Sequence, residues 1–327
     1  MEAVTLLTVE EAAQQLRVSP ETIRRFLRHK KLRGARVGGQ WRIPKNAVQE
    51  VFGPFEFGET VESEAFFDRH PHFLSAFERL MVLVNKCFGR PLPKPSYGPE
   101  YILFSLGESC REDFLEILFL SVNAFGCGAS KLLRGLYERA VALAYMVKEP
   151  PKTDRFARFA AVQEHKALNE ALKTLTEQAW NAAMGPGNTA AEIRSRFDAV
   201  KAEFGQTGKN SKRKRPAVTW DLDVASMVRK VGAPFDMYYL GAYTLANLEI
   251  HATLASAMRE DNKDNNTRRA QRLRQADFAL FCSAMLLVQV IRSQNTLFAL
   301  DLDDELQATE EAVAMVWRED TDVQAAK

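Results

Sequence analysis

From about residue 63 to residue 317, apolar side chains recur at three- and four-residue spacing with few β-branched runs. That period belongs to amphipathic α-helices and is incompatible with a sheet, whose faces alternate every second residue. Proline and glycine punctuate the pattern. Pro91, Pro93, Pro95 and Pro99 break any helix between 90 and 99, and Pro150-Pro151 and Gly185-Pro186-Gly187 make further stops. The spacing predicts helices over about 64–88, 111–124, 129–148, 153–180, 189–204, 221–230, 234–259, 266–299 and 303–317. Packed together, they imply a large all-α bundle.

With 46% hydrophobic and 26% charged residues, composition is that of a folded globular chain, which excludes wholesale disorder and collagen-like repeats. Cys87, Cys110, Cys127 and Cys282 are scattered, with no CxxC pair. They read as free thiols of a reducing compartment, not as zinc ligands or a disulfide scaffold. His70-Pro71-His72 lacks acidic or cysteine companions at ligand spacing, so it reads as a surface turn, and no metal is expected. No phosphate-loop, dinucleotide or nucleophile-elbow motif occurs, so no cofactor is expected either. The apolar run Ala276 to Ile291 is short for a bilayer span and carries Asp277, Ser283 and Gln289, which favours a core helix, and no signal peptide is visible at the N-terminus. The expected location is cytoplasmic, associated with the nucleoid, with no membrane partner.

Residues 1–52 follow a different plan. Thr8-Val9-Glu10-Glu11 has the spacing of a capping box opening a helix over Val9 to Leu16, which buries Ala12, Ala13 and Leu16. Ser19-Pro20 then starts a second helix with a cap and a proline at its first position. Ile23, Phe26 and Leu27 face inward there, leaving Thr22, Arg24, Arg25 and Arg28 outside, followed by His29, Lys30 and Lys31. Beyond Leu32 the period changes, and residues 36–43 read as a β-hairpin turning at Gly38-Gly39, with Trp41 as its core anchor. Pro44 is expected to start a closing helix carrying Val48, Val51 and Phe52. Helix, turn, helix, basic hairpin and helix make a winged helix-turn-helix. The division is therefore 1–52, a linker at 53–62, and a helical domain at 63–327 for dimerisation, sensing or an effector role.

Charge divides at the same place. Residues 1–52 hold ten basic residues (Arg17, Arg24, Arg25, Arg28, Lys30, Lys31, Arg33, Arg36, Arg42, Lys45) and five acidic ones (Glu2, Glu10, Glu11, Glu21, Glu50), a net +5. The total of 44 basic and 42 acidic residues leaves 34 and 37 for the remainder, a net −3. A basic second helix is the electrostatic footprint of duplex-DNA binding; the plainer alternative is a solvated basic surface that docks on protein.

The blocks Leu7 to Ala13, Val18 to Arg25 and Gly39 to Pro44 resemble the excisionase-type, MerR-like DNA-binding domain. The resemblance implies duplex DNA as partner, with Thr22, Arg25 and Arg28 toward the major groove. Arg24, Arg36 and Arg42 would hold phosphates, with Lys30 and Lys31 beside them. Gln40 departs from the basic residue common at that wing position. A homodimer is expected, because two copies supply two half-sites. These features describe a transcriptional regulator of a bacterial, phage or plasmid system; a DNA-bending recombination accessory is a further reading.

In the helical part, Arg134 and Glu138 lie four apart among apolar neighbours, and Tyr243, Asn247 and His251 form one stripe. A structural polar network is the plain reading. Leu133-Arg134 with Glu138, Arg155-Phe156 with Phe159, Trp180 and the stretch Tyr243 to His251 resemble an all-helical bacterial domain of unknown function, number 5677. That family looks distantly similar to the HEPN ribonucleases, whose signature is an Arg and a later His with four to six residues between them. The resemblance implies, as an alternative, a metal-independent ribonuclease or toxic effector of an anti-phage defence or toxin–antitoxin system. Its candidate residues are His251, Asn247, Arg134 and Glu138, together with Arg158 and His165, which fit the spacing literally. RNA or a small molecule would then be the ligand of the helical domain. Residues 205–216, with Lys209, Lys212, Arg213, Lys214 and Arg215, read as a solvated mobile loop or a nucleic-acid backbone contact. The apolar C-terminal helices, Phe278 to Leu300 with Leu302 and Leu306, serve as core or as a dimer interface.

Overall fold

The computed structural model describes residues 6–16, 20–28, 32–37, 40–44, 61–91, 93–94, 98–207, 214–216, 219–247 and 265–325. Its N-terminal part comprises β1 (Leu6–Leu7), α1 (Val9–Leu16), α2 (Pro20–Arg28), β2 (Ala35–Val37) and β3 (Gln40–Pro44). The strands form one antiparallel sheet in the order β1-β3-β2. Val9, Ala12, Ala13, Ile23, Leu27, Leu32 and Ile43 make its core, with Leu7 and Trp41 packed against it. Two expectations change here. Leu6-Leu7 adds a third strand, and Pro44 ends β3 opposite Leu6 where a helix start was expected. At the last position of a strand the missing proline amide costs little. Val48, Val51 and Phe52 of the expected closing helix lie outside the described residues, as does most of the linker.

The helical body follows: α3 (Val61–Arg69), α4 (Phe73–Phe88), α5 (Pro99–Val122), α6 (Gly126–Lys148), α7 (Lys152–Ala171), α8 (Glu177–Met184) and α9 (Ala190–Val200). Then come strands β4 (Gly205–Thr207) and β5 (Lys214–Pro216), helices α10 (Val224–Val231) and α11 (Phe235–Tyr238), α12 (Asn265–Phe298) and α13 (Asp303–Ala325). A π-helical segment over Tyr239–Leu245 continues α11. The architecture is mainly α, with a three-stranded sheet in the N-terminal part and the two-stranded β4–β5 pair in the helical body. Helices α5, α6 and α12 pack on one another to form the centre; α4 and α13 cover one side, and α7 pairs with α9. Helix α12 is long and apolar enough over Arg269–Phe298 to cross a membrane, yet its most apolar window is 72% buried inside the protein. Its side chains, including Leu280, Leu286, Leu287 and Ile291, are spent on helix–helix contacts, which makes it a core helix as expected.

The differences from the sequence reading trace to prolines and caps. The helix expected at 64–88 is two, because Pro71 has no amide to donate; Phe73 N–H instead bonds the His70 carbonyl at 3.0 Å. Pro71 and His72 are exposed, but His70 is buried with its Nε2 3.3 Å from Asp277 Oδ1, which corrects the surface-turn expectation for that residue. The helix expected at 111–124 begins twelve residues earlier, since Pro99 sits at its first position, where proline suits the helix. The helix expected at 153–180 divides in two, with the Thr176 hydroxyl accepting from Ala179 N–H at 3.2 Å to start α8. The strand pair β4–β5 replaces the expected loop at the two ends of residues 205–216.

Candidate nucleic-acid interface

The capping box closes as the sequence implies. Glu11 N–H donates to the Thr8 hydroxyl at 3.1 Å, and Thr8 N–H donates to Glu11 Oε2 at 2.8 Å. The Thr8 amide, the Thr8 hydroxyl and the nearby Arg42 charge together hold the Glu11 carboxyl below the usual carboxylate range. With Ala12 and Ala13 buried on α1 and Ile23 and Leu27 on α2, the two helices are fixed face to face. Gly34 lets the hairpin close over them: a Cβ there would stand 2.6 Å from Leu27 Cδ2 and 3.2 Å from the Arg42 carbonyl.

Positions 22, 25 and 28 fall on the arc of α2 opposite Ile23 and Leu27 by helical spacing. The side chains of Thr22, Arg25 and Arg28, and the residues Lys30, Lys31 and His29, lie outside what the structure describes. Arg24 is exposed and tied across to α1, its Nη2 2.9 Å from Glu10 Oε1 and its Nη1 3.7 Å from Glu21. On the hairpin, Arg36 is directly opposite Trp41 and Ala35 opposite Arg42. The alternation puts Gln40 and Arg42 together on one face, where Arg42 Nη2 donates to Gln40 Oε1 at 3.0 Å. Arg36 sits apart from them, its guanidinium 5.6 Å from the centre of the half-buried Trp41 ring. Trp41 thus anchors the hairpin to the core, as its sequence position implies.

In the helical body the structure assembles part of the second candidate set. Arg134 pairs with Glu138 at 3.0 Å, and its guanidinium stands 5.2 Å over the Tyr243 ring. The buried Tyr137 ring lies 6.2 Å from Tyr243, and its hydroxyl donates to the Phe235 carbonyl at 2.7 Å. Burial pushes the Tyr137 phenol well above its ordinary pKa, so it stays a neutral donor. Asn247 Oδ1 is buried and has no hydrogen-bond partner among the described residues. The π-helical segment carries Tyr243 into this cluster, and Gly241 within it allows close contact with Phe278. His251 lies outside the described residues. Arg158 and His165, on α7, are engaged elsewhere: Arg158 Nε donates to Glu203 Oε2 at 2.9 Å, and the His165 ring stacks on Phe197 at 3.9 Å. Burial holds the His165 imidazole below its usual pKa.

One network escapes the sequence reading. Asp221 accepts from the Tyr145 hydroxyl and from Lys152 Nζ, each at 2.8 Å. Burial pushes its carboxyl up, but these bonds outweigh burial and hold it below the ordinary range. Beside it, Arg155 Nε donates to the Trp220 carbonyl at 2.7 Å and Nη1 to Glu203 Oε1 at 2.9 Å. The only sequence signal was Arg155-Phe156 itself, since its partners are 48 and 65 residues away. Among the described residues no cluster of His, Cys, Asp and Glu has the makings of a metal site.

A helix-turn-helix domain model matches residues 6–52, which include the capped helix α1, helix α2 and the hairpin described above, and supports DNA as a partner. Searches of curated proteins and of solved structures gave no match. A second family model matches residues 100–268, from the start of α5 into the start of α12. As that match covers just over half of the 327 residues, the chain belongs to the family of unknown function DUF5677 and carries a helix-turn-helix domain ahead of it.

Proposed function

We propose that the protein is a sequence-specific duplex-DNA-binding regulator of transcription in a bacterial, phage or plasmid system, acting at the nucleoid in the cytoplasm. The observation that carries this reading is the basic α2 packed on the capped helix α1, next to a hairpin that presents Gln40 and Arg42 on one face. In it, α2 enters the major groove with Thr22, Arg25 and Arg28 toward base edges, while Arg24, Arg36, Arg42, Lys30 and Lys31 hold phosphates. Gln40 supports Arg42 rather than adding charge. Arg24 would exchange Glu10 for a phosphate, a cheap exchange because an exposed ion pair contributes about 0–1 kcal/mol. The helical body would dimerise or sense a ligand, so that two copies read two half-sites. A gel-shift series on selected duplexes tests this: the Arg24/Arg25/Arg28 triple alanine variant loses binding. Each of Arg25→Ala and Arg28→Ala costs about 1–3 kcal/mol where the arginine reads a guanine. Unchanged binding by the triple variant would sink the proposal.

A second reading, an RNA-cleaving effector distantly like the HEPN ribonucleases, is favoured by the Arg134, Glu138 and Tyr243 cluster, in which the guanidinium pairs with the carboxylate and stands over the phenol ring. It predicts growth arrest on induction that His251→Ala or His165→Ala abolishes while the fold is retained. Equal growth of wild type and variants would exclude it.

A further inference from the structure

Helix α12 changes character along its length. From Ala276 to Ile291 most of its side chains are buried in the large core. Before that, no described side chain from Thr267 to Gln275 is buried, and Thr267, Arg269, Ala270, Arg272 and Arg274 are exposed. Gly126 of α6 lies against the α12 backbone at Arg272 and Ala276, and Glu62 of α3 grips Arg269 at 2.8 Å. These contacts hold a stretch that is exposed on several sides. Residues 265–276 contain Arg268, Arg269, Arg272 and Arg274 and no acid. Taking these four from the 34 basic and 37 acidic residues beyond position 52 leaves 30 and 37, a net −7. The side chain of Arg268 lies outside the described residues; those of the other three are described.

Helical spacing puts Arg269 and Arg272 about 60° apart and Arg274 about 140–160° from both, so the arginines flank the helix on two sides. The Arg269 bond holds the Glu62 carboxyl below the usual range against burial, and the charges of Arg269, Arg69 and Arg272 add to it. Asp277 answers Arg69 at 3.4 Å, while Arg272 and Arg274 form no ion pair among the described residues. Glu64 and Asp68 are exposed on the arc of α3 away from the buried Phe66 and His70. A helix stretch polar on all sides is held by many ion pairs or bridges to another body, and here the pairs are few. Chain connectivity chooses the body. Strand β3 ends at Pro44 and α3 begins at Val61, so 16 residues join the N-terminal unit to the helix that carries Glu62. Fully extended at about 3.3–3.6 Å each, they span at most about 55 Å. A duplex held by that unit is therefore tethered within reach of these arginines, and it carries one phosphate charge per about 1.7 Å of axis. We infer that the start of α12 is a second, sequence-independent contact to the phosphate backbone of that duplex, with Arg272 and Arg274 on phosphates and Arg269, held by Glu62, positioning the helix. The inference rests on the DNA-binding reading above.

The test is the salt dependence of affinity, measured with the full chain on a duplex selected for binding and on its scrambled counterpart. Each lost phosphate contact flattens the slope of log affinity against log salt by about 0.9, so Arg272→Ala with Arg274→Ala flattens it by about 1.8. Affinity for both duplexes falls by the same factor, leaving their ratio unchanged, while the thermal melt stays at its wild-type position. Arg272→Lys with Arg274→Lys keeps the wild-type slope, because counterion release follows charge. By contrast, the Arg24/Arg25/Arg28 variant lowers the ratio between the duplexes. A wild-type slope in the alanine variant overturns the α12 contact and leaves the DNA-binding reading standing. A lysine variant as flat as the alanine one overturns it too, since the loss is then not one of charge. Failure of the wild type to bind any duplex overturns the DNA-binding reading itself. Flattening confined to single-stranded RNA, with the duplex slope unchanged, overturns the duplex as the partner of α12.

Discussion

Asp113 on α5 shows how a single site escapes its apparent chemistry. Arg139 of α6 is in direct contact with it, which alone would hold the carboxyl low. Burial between the helices dominates, with Glu116 and Glu112 adding to it, and the pKa is pushed up to about 6. In the unfolded chain an aspartate loses its proton near pH 4, so between about pH 4 and 6 only the folded state keeps it. The native state binds more protons over that window, and stability falls as pH rises through it. The stability of wild type relative to Asp113→Asn should accordingly decline from pH 4 to pH 7 in urea titrations. Parallel curves would mean that Arg139 governs the group. Residues of this kind were illegible in the sequence because the burial that decides them comes from packing against another helix, and even the contacting Arg139 is 26 positions away. His70 is a second instance: its neighbour Pro71 announces a turn, but only Asp277, 207 residues later, makes it a buried hydrogen-bonding group.

At the scale of elements, most helices were legible from apolar period, and the errors fall where one residue serves two roles. Pro99 ends one stretch and starts α5, and the glycine at 107 discourages a helix from sequence alone. It is there because a Cβ would stand 2.7 Å from Gln294 Nε2 and 2.9 Å from the Phe88 ring. Strands β4 and β5 have no apolar alternation to betray them; their pairing follows from feet clamped by Arg155. The arginine set of the N-terminal unit was legible as a pattern, yet the sequence could not show that Arg24 is tied to Glu10. The seam between α6 and α12 yields a sharp expectation. At Gly126 a Cβ would lie 2.3 Å from the Arg272 carbonyl and 2.8 Å from Ala276 N, both α12 backbone, which cannot yield without moving the helix. At Gly128 the nearest atom is Leu120 Cδ1 at 3.3 Å, the end of a side chain. Gly126→Ala should therefore destabilise by about 2–3 kcal/mol through overpacking. Gly128→Ala should be neutral or stabilising by up to about 1 kcal/mol, because alanine is the better helix former. Denaturant unfolding of the two variants side by side checks the opposite signs; equal losses would place the effect in helix propensity.

For the whole molecule, the described buried residues of the N-terminal unit and those of the helical body fall into separate cores that share no described side chain. Among the described residues the small core rests on seven buried side chains, whereas the large one draws on every long helix from α4 to α13. At about 0.05–0.15 kcal/mol per residue, a unit of this size holds only a few kcal/mol of stability. Leu27 is 4% exposed at the centre of the small core, and burying alanine there instead costs about 2–5 kcal/mol. Leu27→Ala should thus unfold the N-terminal unit while leaving the body intact. Trp41 reports on that unit and Trp180, Trp220 and Trp317 on the body, so a chain keeping only one class can follow each melt separately. The expected result is a Trp41 signal already unfolded at room temperature beside an unshifted melt of the body, with duplex binding lost. Duplex binding should follow the small core because the first 52 residues hold both the helix-turn-helix match and a net +5 charge. A body that melts early together with Trp41 would show instead that the two cores fold as one cooperative unit.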